Sequence, residues 1–219
     1  MAQFLHIAAA TIAKGFRAAY GDGTNLTTYT FSACDFGAPD TSREVFVVIG
    51  WSQGANRTLT SVTIGGVAAT LGSQANQSTQ AGVRVAFAAV PSGTTGDVVC
   101  TFSGGVVSCA IAVYRVTDRP IAGATETDFA SQGQSLGTSA AIAGVDVATG
   151  GFTLSALAPL ASTSGGSPSG LSIALDGSVA AGNLIYFASN SIQASAGSAT
   201  VTWTWASTTS AIAAAWSFS

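Results

Sequence analysis

From about Tyr29 onward, apolar residues fall at every second position or in short β-branched runs. Val45-Phe46-Val47-Val48-Ile49 is unbroken and apolar, which suits a strand buried on both faces. Val62, Ile64 and Val67 flank Gly65-Gly66, the pattern of a hairpin or a bulged strand pair. Val83, Val85 and Phe87 alternate with Arg84 and Ala86 until Pro91-Ser92-Gly93 ends the run. Clusters of turn-forming residues, Gln74 to Gln80 and Thr94 to Asp97, separate these segments. Short strands at this spacing predict an all-β fold: an antiparallel sandwich, jelly-roll-like. No helical period follows Tyr29.

Before Tyr29 the pattern differs. Phe4, Ala8, Ile12 and Phe16 recur every four residues, as on one face of a short helix, although Gly15 and the small residues equally suit an extended arm. Residues 1–28 are therefore expected to form an N-terminal arm, with Phe4, Leu5, Ile7, Ile12 and Phe16 as its candidate docking residues. Lys14 and Arg17 follow the apolar stretch Phe4–Ala13, whereas a secretory signal carries its positive charges first, so no signal peptide is expected.

The chain also repeats itself at an offset of about 102 residues. Val98–Phe102 and Ser108–Tyr114 match Val201–Trp205 and Ser210–Trp216, while Val45–Trp51 matches Phe152–Leu160 and Val83–Ala89 matches Leu184–Ser189. Such self-similarity means two related β units. They are either two sheets of one sandwich or two small sandwiches joined by the polar stretch Asp118–Ser139. The first is preferred because that stretch is short and keeps Ile121 and Phe129. The expected organisation is one body, 29–219, with halves 29–118 and 139–219 joined by 119–138.

A turn at Gly104-Gly105 would set Phe102 opposite Val107, Cys100 opposite Cys109 and Val98 opposite Ile111. Facing cysteines at a non-hydrogen-bonded position lie about 4.5 Å apart at Cα, near the lower end of disulfide geometry. Cys100 and Cys109 are thus either a disulfide or two buried thiols in a core pair. The repeat favours the core pair, since it places Trp203 and Ile212 at the equivalent positions. Cys34 leaves the cysteine count odd.

Composition narrows the functions. Charged residues make up 8% of the chain, against about 25% in average domains. The hydrophobic share is 47% and the mean hydropathy +0.45, yet no apolar run is long enough for a membrane-spanning helix. A net charge of −3 without a basic cluster argues against nucleic-acid binding. So little charge leaves a free monomer poorly protected against association, which points to assembly with copies of itself or with another protein.

The chemical motifs are weak. Gly50-Trp51-Ser52-Gln53-Gly54 matches the nucleophile elbow of α/β-hydrolases, but that elbow needs a following helix and a later histidine. Here Ala55–Thr60 heads into another strand, and the one histidine, His6, comes earlier. Asp22-Gly23-Thr24-Asn25 and Glu126-Thr127-Asp128 lack the spacing of a calcium loop. Asp40, Arg43 and Glu44 read as a solvated turn. Trp51, Trp203, Trp205, Trp216, Tyr114 and Tyr186 suit sugar stacking in principle, but their strand positions favour the core. No catalytic residue, metal site or cofactor is expected.

Several segments together resemble a known group. Tyr29-Thr30-Phe31-Ser32, Phe36-Gly37, Arg43 before an apolar strand ending in Trp51, Ser61–Thr70, Val90-Pro91-Ser92-Gly93 and Ala112-Val113-Tyr114-Arg115-Val116 resemble small structural proteins of tailed bacteriophages and related prophage or gene-transfer particles. The resemblance covers roughly residues 29–219 and contains no catalytic residue. It implies a β-sandwich virion protein on the particle surface: a capsid decoration protein, a head fibre or a tail component. The expected partners are the major capsid or tail protein and further copies of the chain, with a trimer common for such proteins. The protein would be made in the bacterial host cytoplasm. A glycan-binding module contacting the host surface is the alternative.

Overall fold

The computed structural model describes residues 12–119, 126–160, 165–171, 173–182, 184–193 and 195–219, and they build two β-sandwiches stacked back to back. The first repeat contains β1 (Ala13–Asp22), β2 (Leu26–Asp35), β3 (Glu44–Ser52), β4 (Leu59–Ile64), β5 (Val67–Ala68), β6 (Thr70–Gln77), β7 (Ala81–Ala89), β8 (Thr95–Val106) and β9 (Ser108–Thr117). Its inner sheet runs β1-β9-β3-β7-β6, and its outer sheet β2-β8-β4-β5. The second repeat contains β10 (Glu126–Val147), β11 (Phe152–Pro159), β12 (Ser167–Ser169), β13 (Ala174–Ala181), β14 (Leu184–Ile192) and β15 (Gly197–Phe218), in the order β10-β15-β11-β14-β13 with β12 on β15. All the pairings are antiparallel.

Strands β10 and β15 are long because each serves two layers. Near the chain end, Asp128–Gln134 pairs with Ala211–Ser217; the register then jumps from Gly137↔Thr209 to Ser139↔Thr204. Beyond that bend, the far halves fold back over the sheet, where Trp203 Nε1 donates to Ser155 Oγ on β11 at 2.7 Å. The two halves of β10 thus match β1 and β2, and the two halves of β15 match β8 and β9. Likewise β3, β4, β6 and β7 match β11, β12, β13 and β14. Every segment of the sequence repeat falls on a matching pair of strands, and each repeat builds two layers of its own around a shared core, rather than one sheet each of a single sandwich as preferred from the sequence. The order β1-β9-β3-β7 facing β2-β8-β4-β5 is that of a jelly roll.

The central strands of the inner sheets, β3, β7, β9, β11 and the last part of β15, are buried on both faces, and this explains why they do not alternate. On β3, Phe46 and Val48 face the second repeat, while Val45, Val47, Ile49 and Trp51 face the outer sheet. On β15, Ile212, Ala214, Trp216 and Phe218 face the first repeat, while Ala211, Ala213 and Ala215 face the folded-back layer. The two repeats meet with approximate twofold symmetry. Phe16 packs on Tyr114 with ring centroids 5.6 Å apart, and Phe129 packs on Trp216 at 5.8 Å, both pairs at matching registers. Tyr114 Oη donates to Asp176 Oδ2 on β13 (3.0 Å), and Trp216 Nε1 donates to the Ser73 carbonyl on β6 (2.9 Å).

Four expectations need correction. First, the arm does not extend to residue 28, because Ala13–Asp22 pairs with β9 and Leu26–Asp35 with β8. Ile12 is buried in the core and Phe16 packs against it, so neither is a docking residue; Phe4, Leu5 and Ile7 lie outside the described residues. Second, the expected connector 119–138 is not one from Glu126 on: there it is the near half of β10, whose Gly, Ser and Gln content hides a strand that packs through Phe129. Third, Gly104-Gly105 is not a turn but lies inside β8, where the two glycines leave room for the Arg57 guanidinium and the Asn25 amide. Strands β8 and β9 pass into different sheets instead of forming a hairpin. The hairpin turn is at Gly65-Gly66, where φ values of 59° and 81° suit glycine and Ile64 pairs with Val67.

Fourth, Arg43 and Glu44 are buried, not solvated. The Arg43 guanidinium donates to five carbonyl oxygens: Val90 (2.6 Å), Phe36 (3.3 Å), Gly37 (2.8 Å), Ser92 (2.7 Å) and Gly93 (2.8 Å). It thereby ties the Phe36–Gly37 and Ser92–Gly93 loops to the start of β3. Burial pulls its pKa downward. Glu44 pairs with Arg119 at 2.9 Å, both nearly inaccessible, and the Arg119 guanidinium lies 5.4 Å from the centroid of Phe46. Arg119 also donates to the Ser219 carbonyl, so it joins the start of β3 to the end of β15.

Replacing Arg43 with leucine strips these carbonyls of their donors and is expected to destabilise the fold by about 3 kcal/mol or more, read from urea denaturation. Arg119→Met should cost about 3–5 kcal/mol because it removes the cation that faces a buried carboxylate. Glu44→Leu/Arg119→Met should cost less than that single change, and denaturation of the set as a double-mutant cycle checks it.

Candidate functional site

Ser52 is the last residue of β3, and its hydroxyl shares a 2.7 Å hydrogen bond with Ser108 Oγ, both side chains being buried. The loop after it is fastened by Gln53, whose Oε1 accepts from Trp51 Nε1 at 2.8 Å and from the Arg57 amide at 2.9 Å. The chain then enters β4, with no helix between. His6 lies outside the described residues. The glycine–serine motif therefore serves to close a strand end.

Cys100 pairs with Tyr29 and Val62 in the outer sheet, and Cys109 with Trp51 and Asp22 in the inner sheet. The two thiols meet across the interior between those sheets, both free and both buried. Burial pushes the Cys109 thiol well up, with further upward pushes from the neighbouring Cys100 and from Asp22. Cys34 donates to the Phe31 carbonyl at 3.2 Å, and burial raises its pKa to about 12.

The acidic groups make local structure. Asp22 Oδ1 accepts from the Thr24 amide (2.8 Å) and hydroxyl, Glu126 Oε2 from the Ser73 amide (2.8 Å), and Asp128 Oδ2 from the Asp146 amide (2.6 Å). Among the described residues no three His, Cys, Asp or Glu side chains group as metal ligands. Trp51, Trp203, Trp205, Trp216 and Tyr114 are all buried in the core, while the Tyr186 side chain lies outside the described set.

Charge is distributed unevenly, a feature the composition alone did not reveal. Six of the seven cationic residues belong to the first repeat and the seventh, Arg119, follows β9 directly; Arg43 and Arg119 among them are buried. The second repeat has only Glu126, Asp128, Asp146 and Asp176. Its folded-back layer (Ser139–Val147, Ser167–Ser169, Gly197–Thr204) carries Asp146 alone. Exposed strand positions of the first outer sheet are hydroxyl-rich too, with Thr28, Thr30, Thr60 and Ser61. These faces offer hydrogen bonds and small apolar groups rather than reactive chemistry.

Because the thiolate is the reactive form, Cys34 and Cys109 should stay unlabelled by iodoacetamide at pH 8 in the folded protein and label fully in denaturant. Mass spectrometry of the two digests checks this, and rapid native labelling of either would contradict the packing described.

Compared with known proteins, the chain matches no family, no curated protein and no solved structure.

Proposed function

We propose that this chain is a virion structural protein on the surface of a tailed-phage particle, a capsid decoration or head-fibre subunit that acts by protein–protein packing. The observation that carries the reading is the near absence of charge over the second repeat, where Asp176 is the only charged residue from Val147 to Ser219. Uncharged strand faces dock without the cost of stripping water from ions, and a free monomer ordinarily needs more charge to stay dispersed. The jelly-roll order is one that viral capsid domains use, a support by fold analogy alone. The resemblance of residues 29–219 to phage structural proteins points the same way.

In this reading the chain is not an enzyme, needs no cofactor, and meets the major capsid or tail protein and copies of itself. Phe4, Leu5 and Ile7 are what is left to the docking arm. The four tryptophans lie in the core, so they lend the glycan-binding alternative no support as stacking faces.

Copy number on purified particles, quantified by mass spectrometry against the major capsid protein, tests the proposal. Hundreds of copies are expected for a decoration protein, and a few to a few dozen for a fibre or tail component. Absence from the particle overturns it.

A further inference from the structure

The turn between β6 and β7 faces the bend of the second repeat across a cavity of about 430 Å³. Gln77–Gln80 line it from the first repeat, and Ser135, Leu136 and Ser210 from the second. A cavity of about 180 Å³ shares Gln80 with it and is otherwise lined by Ser52, Gln53, Val107 and Leu160. No residue lining either cavity is charged. By contrast, the hollow along Thr70–Ser73 holds Arg84 and Glu126, and the one at the Gly65-Gly66 turn holds Asp97. The β6–β7 turn is held from beneath while its side chains stay free. The buried Gln53 donates its backbone amide to the Gln80 carbonyl at 2.8 Å and its Nε2 to the Ser78 carbonyl at 3.3 Å. Ser78 sits at φ 49°, a conformation that residues other than glycine seldom adopt and that clusters at ligand-holding loops. The exposed side chains of Ser78, Thr79 and Gln80 make no hydrogen bond among the described residues. Across the cavity Leu136, at 77%, is the most exposed large hydrophobic residue among those described.

This lining selects its occupant. An ionic ligand would give up hydration here and meet no counter-charge. A purely apolar one would cover the Gln80 amide and two hydroxyls without pairing them. A neutral sugar meets both demands, since its hydroxyls pair with amide and hydroxyl groups while its C–H face covers an aliphatic side chain. We infer that the two cavities form a binding site for a neutral saccharide, held by Ser78, Thr79 and Gln80 through hydrogen bonds and by Leu136 through apolar contact. Recognition of this kind needs no aromatic ring, in keeping with the buried tryptophans. The site goes beyond the virion reading and does not rest on it: absence from particles would sink that reading alone, and absence of sugar binding this one alone.

NMR titration of the full chain with millimolar maltohexaose, mannohexaose and chitohexaose tests it, with hexagalacturonate as the acidic counterpart. At least one neutral oligomer should shift the backbone amides of Ser78, Thr79 and Gln80, and hexagalacturonate should not. Gln80→Ala and Leu136→Ser should each weaken that binding roughly tenfold. Both side chains are exposed, so the urea midpoint should stay put, which separates lost contacts from misfolding. Ser178→Ala on β13 should leave binding unchanged. Failure of every neutral oligomer to bind, equal binding of hexagalacturonate, or binding indifferent to both substitutions overturns the inference.

Discussion

Everything else in this structure depends on one aromatic contact between the repeats. Phe46 stacks on Phe87 with centroids 4.8 Å apart, Phe152 stacks on Phe218 at 5.1 Å, and Phe46 meets the rings of Phe152 and Phe218 edge-on at 5.2 and 5.0 Å. Each such pair adds about 0.5–1.5 kcal/mol beyond area burial. Around them small side chains, Ala110, Ala112, Ala156, Ala158 and Ala214, let the inner sheets come together. Once those sheets are joined, their remaining faces must be covered as well. The outer sheet of the first repeat does this on one side and the folded-back halves of β10 and β15 on the other.

The cluster also explains a costly feature. Arg119 and Glu44 form an ion pair deep enough to be expensive to desolvate, yet the Arg119 guanidinium lies within 6 Å of the Phe46, Phe152 and Phe218 ring centroids. Ring faces attract a cation, and the carboxylate supplies the counter-charge, so the site holds its ions in place at the seam between repeats. Arg43 solves the same problem with carbonyl oxygens alone.

Much of the fold was legible in the sequence because it rests on local pattern. The apolar run at Val45–Ile49 signalled a doubly buried strand, Gly65-Gly66 a turn, and the recurrence of Val98–Tyr114 at Val201–Trp216 a duplicated unit. What was not legible rests on long-range contacts. β1 looks like an arm because its partner β9 lies nearly a hundred residues away, and the near half of β10 looks like a linker because β15 supplies most of its apolar cover. Gly104-Gly105 misled because glycine serves close approach as readily as it serves turns. Of the site residues, Cys100 and Cys109 do meet, but across two sheets rather than across a hairpin.

Two duplicated sandwiches that share one core should behave as a single cooperative body. Differential scanning calorimetry of the full chain tests it most directly. A shared aromatic core predicts one transition whose calorimetric and van't Hoff enthalpies agree. Two resolved transitions, each with the enthalpy of about half the chain, would mean that the repeats fold independently and would contradict the account.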